Sequence, residues 1–166
     1  GGLFAIQTLW AGPWMVRVSG YTPEESAKGL FMIYFFMLIS FLVWGFFVPK
    51  ISKNINDAIK LLKIGTPLSL IILGLIIYLG PDAGAIHWTL FVVSAIFLSL
   101  SQPAVGMAFT LSNAGKALTS FNLLLFVGAF FVQWMMGIII DLSMNFSFSE
   151  VIAFKCAMSF VLISSL

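Results

Sequence analysis

Residues 29–49 read GLFMIYFFMLISFLVWGFFVP, an unbroken run without a charged side chain. Wound as an α-helix, such a run is about 30 Å long, which is the thickness of the hydrocarbon core of a bilayer. Phe, Leu, Ile, Val and Met occur all round this helix, so it has no polar face to turn to water. The rest of the chain follows suit. Of its 166 residues, 61% are apolar and 8% charged, where a soluble domain carries about 25% charged residues. A charge held at the bilayer centre costs roughly 2.5 to 3.5 kcal/mol on insertion scales, so gaps between charges mark spans. The uncharged stretches are 1–16, 29–49, 64–81, 83–115 and 117–140, followed by an apolar end from Val151 to Leu166 broken only by Lys155.

These stretches predict an all-α polytopic bundle of six transmembrane helices at about 1–17, 23–48, 66–80, 86–113, 116–140 and 149–166. The first is short for a span and begins without an initiating Met, which reads as an internal point of a longer protein. The second has a clear start. Thr22-Pro23-Glu24-Glu25 offers an N-cap hydroxyl, a proline at the first helical position and a capping-box Glu. Residues 49–65 hold Lys50, Lys53, Lys60 and Lys63 against the lone acid Asp57. There, Ile55, Ala58, Ile59 and Leu62 recur at helical spacing, as in an amphipathic helix on the membrane surface; a solvated loop is the alternative. Thr66-Pro67 is expected to open the third helix, and Gly80 to Gly84 to close it in a tight turn. Pro103 should kink the fourth, Ser149 or Glu150 starts the sixth, and Lys155 can reach the interface along its alkyl stem.

Basic residues favour cytoplasmic connections. The connections after helices two and four carry the four lysines and Lys116, so both ends of the segment are expected in the cytoplasm. The formal charge of +2 gives no footing for a nucleic-acid partner. One His and one Cys cannot make a metal cluster, and no cofactor is expected. Cys156, between apolar neighbours, reads as a lipid-facing or packing residue, and His87 beside Trp88 as an interfacial anchor or, less simply, a proton relay. No nucleophile motif or paired intramembrane carboxylate is present, so the chain is not expected to be an enzyme. The informative side chains are amides, which are costly in hydrocarbon when unpaired. Asn122, Phe126 and Gln133 share a stripe of helix five, and Gln7, Trp10 and Trp14 one of helix one. With Tyr34 and Gln102 they are candidates to line a path; helix-to-helix glue is the other reading.

These residues resemble the second six-helix half of a major facilitator superfamily transporter. The run Gln7-Thr8-Leu9-Trp10-Ala11-Gly12-Pro13-Trp14 looks like the outer part of that family's seventh helix. Asn113-Ala114-Gly115-Lys116-Ala117-Leu118 looks like its turn into helix eleven. The degenerate cytoplasmic turn motif is matched by Gly45, Lys50 and Lys53, with Pro49 in place of the acid and Ser52 in place of the second glycine. The resemblance implies two halves, each a 3+3 inverted repeat, and a site between them near the midplane, worked by alternating access. It implies a small-molecule substrate, an absent N-terminal half as partner and a bacterial inner membrane as location. Pro13 and Pro103, and Gly45 and Gly137, sit at nearly equal offsets, a weak echo of that repeat. A channel-type or non-transporting subunit is the alternative.

Overall fold

The computed structural model describes residues 2–166. Among them the chain forms eight α-helices: α1 (Gly2–Leu9), α2 (Ala11–Arg17), α3 (Pro23–Ile51), α4 (Ile55–Leu79), α5 (Ala85–Ser94), α6 (Ser101–Ala108), α7 (Leu111–Asn145) and α8 (Glu150–Ser164). Two 3₁₀ stretches, Gly80–Asp82 and Ala95–Leu100, complete it, and no strand occurs among the described residues. Four rods are long and apolar enough to cross a membrane: Pro23–Ile51, Ile55–Asp82, Ala85–Ala108 and Leu111–Asn145. By length and composition this is a helical membrane protein.

Local chemistry fixes the ends. Thr22 caps α3 with a complete box: its hydroxyl accepts from the Glu25 amide at 3.2 Å, and the Glu25 carboxylate accepts from the Thr22 amide at 2.8 Å. Asn54 accepts from the Asp57 amide at the start of α4, and Ser149 from the Ile152 amide at the start of α8. Each side chain satisfies a donor that the first helical turn leaves open. Lys155 donates to the Tyr78 carbonyl at 3.2 Å, placing an ammonium at the negative end of α4.

Several boundaries differ from those expected. The connection 49–65 is not a separate element. α3 runs through Pro49 to Ile51, α4 starts at Ile55, and Pro67 lies inside α4. A proline inside a membrane helix is tolerated where neighbouring groups and small adjustments absorb the lost bond, so Thr66-Pro67 opens nothing. The helix expected over 86–113 ends at Ala108, and α7 begins at Leu111 instead of 116. Gly115 and Lys116 therefore lie within α7, and Gly45 and Lys50 within α3, so of the expected turn residues only Lys53 lies in a turn. α7 continues past Asp141 to Asn145, because an acid at the interface is solvated and need not end a helix.

Two rods are interrupted by one mechanism. α1 and α2 meet at Trp10, three residues before Pro13, and the 3₁₀ stretch ends at Leu100, three before Pro103. A proline offers no amide to the carbonyl four residues back. In the second case Ser94, Ser99 and Ser101 also donate to carbonyls three residues back, at 2.6 to 2.7 Å, which competes with regular α-helical bonding.

The buried core gathers at one end of the bundle. Trp14, Trp88, Phe91 and Phe154 are all but fully buried and meet edge to face, with Trp14 6.2 Å from Trp88 and 6.4 Å from Phe154. Such geometry is favoured by the ring quadrupoles. At the same end Ala85 donates its amide to the Tyr21 hydroxyl at 3.3 Å, and Arg17 pairs with Glu150 at 3.7 Å. The two longest helices join this core only there. α3 buries Ser26, Gly29 and Ile33 and nothing later, while α7 buries Met136, Ile140 and Ser143 and nothing earlier. Toward the lysine-bearing end both rods are largely uncovered.

Candidate amide-lined groove

α1 packs along α7 and touches α5, and α6 leans on α7 and α4. That arrangement leaves two adjoining grooves. One, of about 500 Å³, runs between α1 and α7 and is lined by Thr8, Asn122, Phe126 and Gln133, among others. The second, of about 590 Å³, lies beside α6 and includes Ser99, Ser101 and Gln102. Phe4 and Leu125 wall both, so the two grooves adjoin across these side chains. Gln102 donates to the Asn122 side-chain oxygen across a long 3.4 Å, joining α6 to α7. From Asn122 to Gln133 is about 16 Å of helix, half the depth of a bilayer.

The sequence candidates divide by position. Gln102, Asn122, Phe126 and Gln133 line the grooves. Gln7 does not line either groove: it is buried, with its Nε2 donating to the Met37 sulfur of α3 at 3.6 Å. Thiother sulfur is a weak acceptor, and the buried Gln7 Oε1 and Trp10 Nε1 have no partner among the described residues. Trp10 packs edge-on against Phe154 at 6.0 Å. Trp14 is core, donating its indole N–H to the Ala83 carbonyl. Tyr34 stands partly exposed on α3, away from either groove. His87 keeps Nδ1 buried and unpartnered.

Sequence reasoning passed over Thr8, Ser99 and Ser101. Phe4, Ala5 and Thr8 share one face of α1 at helical spacing, a signal that was present but pointed to no neighbour until α7 was placed beside it. Among the described residues no cluster of three metal-ligating side chains occurs. Comparison of the chain with protein families, curated proteins and solved structures finds no match.

Proposed function

We propose that this chain is the C-terminal six-helix half of a major facilitator superfamily transporter, moving a small solute by alternating access. The observation that carries the proposal is the groove containing Gln102, Asn122 and Gln133. An amide facing hydrocarbon without a partner costs several kcal/mol. Gln102 and Asn122 meet only across one long bond of 3.4 Å, so with Gln133 they leave amide donors and acceptors along the grooves that belong against water, solute or a second protein half. With both amide and hydroxyl groups in its wall, the groove suits a neutral or zwitterionic solute that both donates and accepts hydrogen bonds. No carboxylate lines it, so a titrating coupling group, if the cycle uses one, belongs to the partner half.

One pair of helix contacts is in keeping with a 3+3 inverted repeat. Taking α1–α2 as the first rod and α5–α6 as the fourth, exchange of the triplets carries the α3–α5 contact onto the α1–α7 contact, and both are extensive. The interruptions at Trp10 and Leu100 fall at equivalent positions. The correspondence is partial, since α7 packs along α8 while α3 and α4 share no comparable interface. The bare surfaces of α3 and α7 are those a partner half would cover. With the lysine-bearing end in the cytoplasm of a bacterial cell, a bundle closed at the Trp14 end and open at the other has the shape of an inward-facing state.

Uptake of a labelled solute panel by proteoliposomes carrying the intact protein, with and without a pH gradient, tests the proposal. Saturable uptake with counterflow of unlabelled solute is expected. Non-saturating conductance, or no flux of any solute, would overturn it.

A further inference from the structure

We propose that two buried groups at the break of the first rod, Gln7 Oε1 and Trp10 Nε1, hold one internal water molecule between them. This site rests only on the packing of that rod and stands apart from the transport reading. The Trp10 amide donates to the Ile6 carbonyl at 2.9 Å, so helical spacing holds as far as the break. Gln7 and Trp10 therefore share one face of the helix, with Cβ atoms about 5–6 Å apart. Gln7 is 2% exposed, and neither its Oε1 nor the Trp10 Nε1 has a partner among the described residues. Both side chains are anchored elsewhere. The Gln7 Nε2 donates to the Met37 sulfur of α3 at 3.6 Å, and the Trp10 ring stands edge-on to Phe154 of α8 at 6.0 Å.

Chemistry selects the occupant. An amide oxygen only accepts and an indole N–H only donates, so one group able to do both serves the two at once. Turning the amide over does not serve them: it exchanges an orphan acceptor for orphan donors, sets the oxygen against sulfur and leaves the indole N–H as it was. Left bare, such buried groups are destabilising. Size then narrows the choice. Gln7 and Trp10 line neither groove, and their neighbours Ile6, Trp14 and Phe154 are all but fully buried, so the occupant is smaller than a solute in the grooves. An internal water is held by roughly two to four hydrogen bonds. Two come from the amide and the indole, and the Met37 sulfur, already in contact with the same amide, is a weak further acceptor. Trp44 and Trp88 also bury an indole N–H without a partner, but Trp10 alone has an orphan amide one turn away on its own helix.

Nuclear magnetic resonance of the intact protein in micelles, with isotope-labelled tryptophan indoles assigned through Trp10→Phe, tests this. The Trp10 indole proton should show direct cross-relaxation with a long-lived water. The Trp14 indole proton, which is bonded to the Ala83 carbonyl, should show none. Gln7→Leu should abolish the Trp10 water peak, and Gln7→Glu, which keeps an acceptor in the same place, should retain it. Trp14 and Trp88 indole shifts matching those of the parent protein report that each variant is folded. Absence of the Trp10 water peak in the parent protein, its survival in Gln7→Leu, or an equal peak at Trp14 would overturn the site, the last by reducing it to water entering the whole end of the bundle. Flux plays no part in the readout, so failure here is distinct from failure of the transport reading.

Discussion

Trp14 donates its indole N–H to the carbonyl of Ala83 at 3.1 Å, across 69 residues of chain, and Ser19 donates to the same oxygen at 2.9 Å. One carbonyl thus ties the end of the first rod to the turn between α4 and α5. Trp14→Phe keeps an aromatic ring but loses the indole N–H and part of the buried ring volume, and should lower stability by about 2 to 4 kcal/mol. The double variant Trp14→Phe/Ser19→Ala leaves the acceptor bare and should cost more than the two single changes combined, read as thermal unfolding in detergent. Strict additivity would refute the shared role of Ala83.

The cap at Thr22 makes a second, local prediction. Thr22→Ala should cost about 1 kcal/mol. It should also speed hydrogen exchange at the amides of the first turn of α3, with little change beyond Gly29. Unchanged protection at Glu25 would contradict the capping box.

Gly65 allows α4 to cross the 3₁₀ stretch. A side-chain carbon there would collide with Phe97 at its Cβ and ring, and Phe97 is itself held edge-on to Trp44 at 4.7 Å. Gly65→Leu should destabilise by about 1 to 3 kcal/mol. Adding Phe97→Ala should restore part of the loss, the coupling expected of residues in contact. Two independent penalties would argue against the crossing.

For the groove, Gln133→Leu separates packing from function. An amide acting as glue contributes ~0.6 kcal/mol, so its loss would slightly lower stability and leave transport by the surviving protein unchanged. A groove that meets solute should instead show an altered KM at unchanged expression, and Asn122→Leu should do the same. Gln7→Leu, buried against Met37 and outside both linings, should leave KM unaltered.

The lysine-bearing end should face the cytoplasm. Single cysteines at Ser52 and Ser147, in a background lacking Cys156, test this by labelling intact cells with an impermeant reagent. Ser147 lies in the turn before α8, with φ of 62°. Labelling at 147 and not at 52 is expected, and the reverse would invert the topology.

What could be read from sequence followed the range of the forces involved. The start of α3 was legible because Thr22, Pro23 and Glu25 act on one another within a single turn. The fate of Pro67 was not, since whether a membrane helix absorbs a proline depends on what packs beside it, here Phe97 against Gly65. Charges located spans but misplaced ends, as Asp141 shows: hydrocarbon excludes it, whereas the helix simply continues beyond hydrocarbon. The stripe holding Asn122 and Gln133 follows from the helical repeat alone. That Gln102 meets it while Gln7 turns to Met37 depends on how rods pack, which no local pattern contains.

The 3₁₀ stretch from Ala95 to Leu100 sets the azimuth of everything after it. A 3₁₀ turn advances 120° per residue against 100° in an α-helix, and rises about 2.0 Å against 1.5 Å. Over its six residues the accumulated difference is about 120° of rotation and ~3 Å of length. Gln102 meets Asn122 because of that phase offset. Relaxation of the stretch to α geometry would swivel α6 about its own axis by a third of a turn and draw it inward, carrying the amide off the groove with no change in the tilt of the rod. Six residues of overwound backbone thereby act as a rotary coupling between the packed Trp88 end and the uncovered end of the same rod.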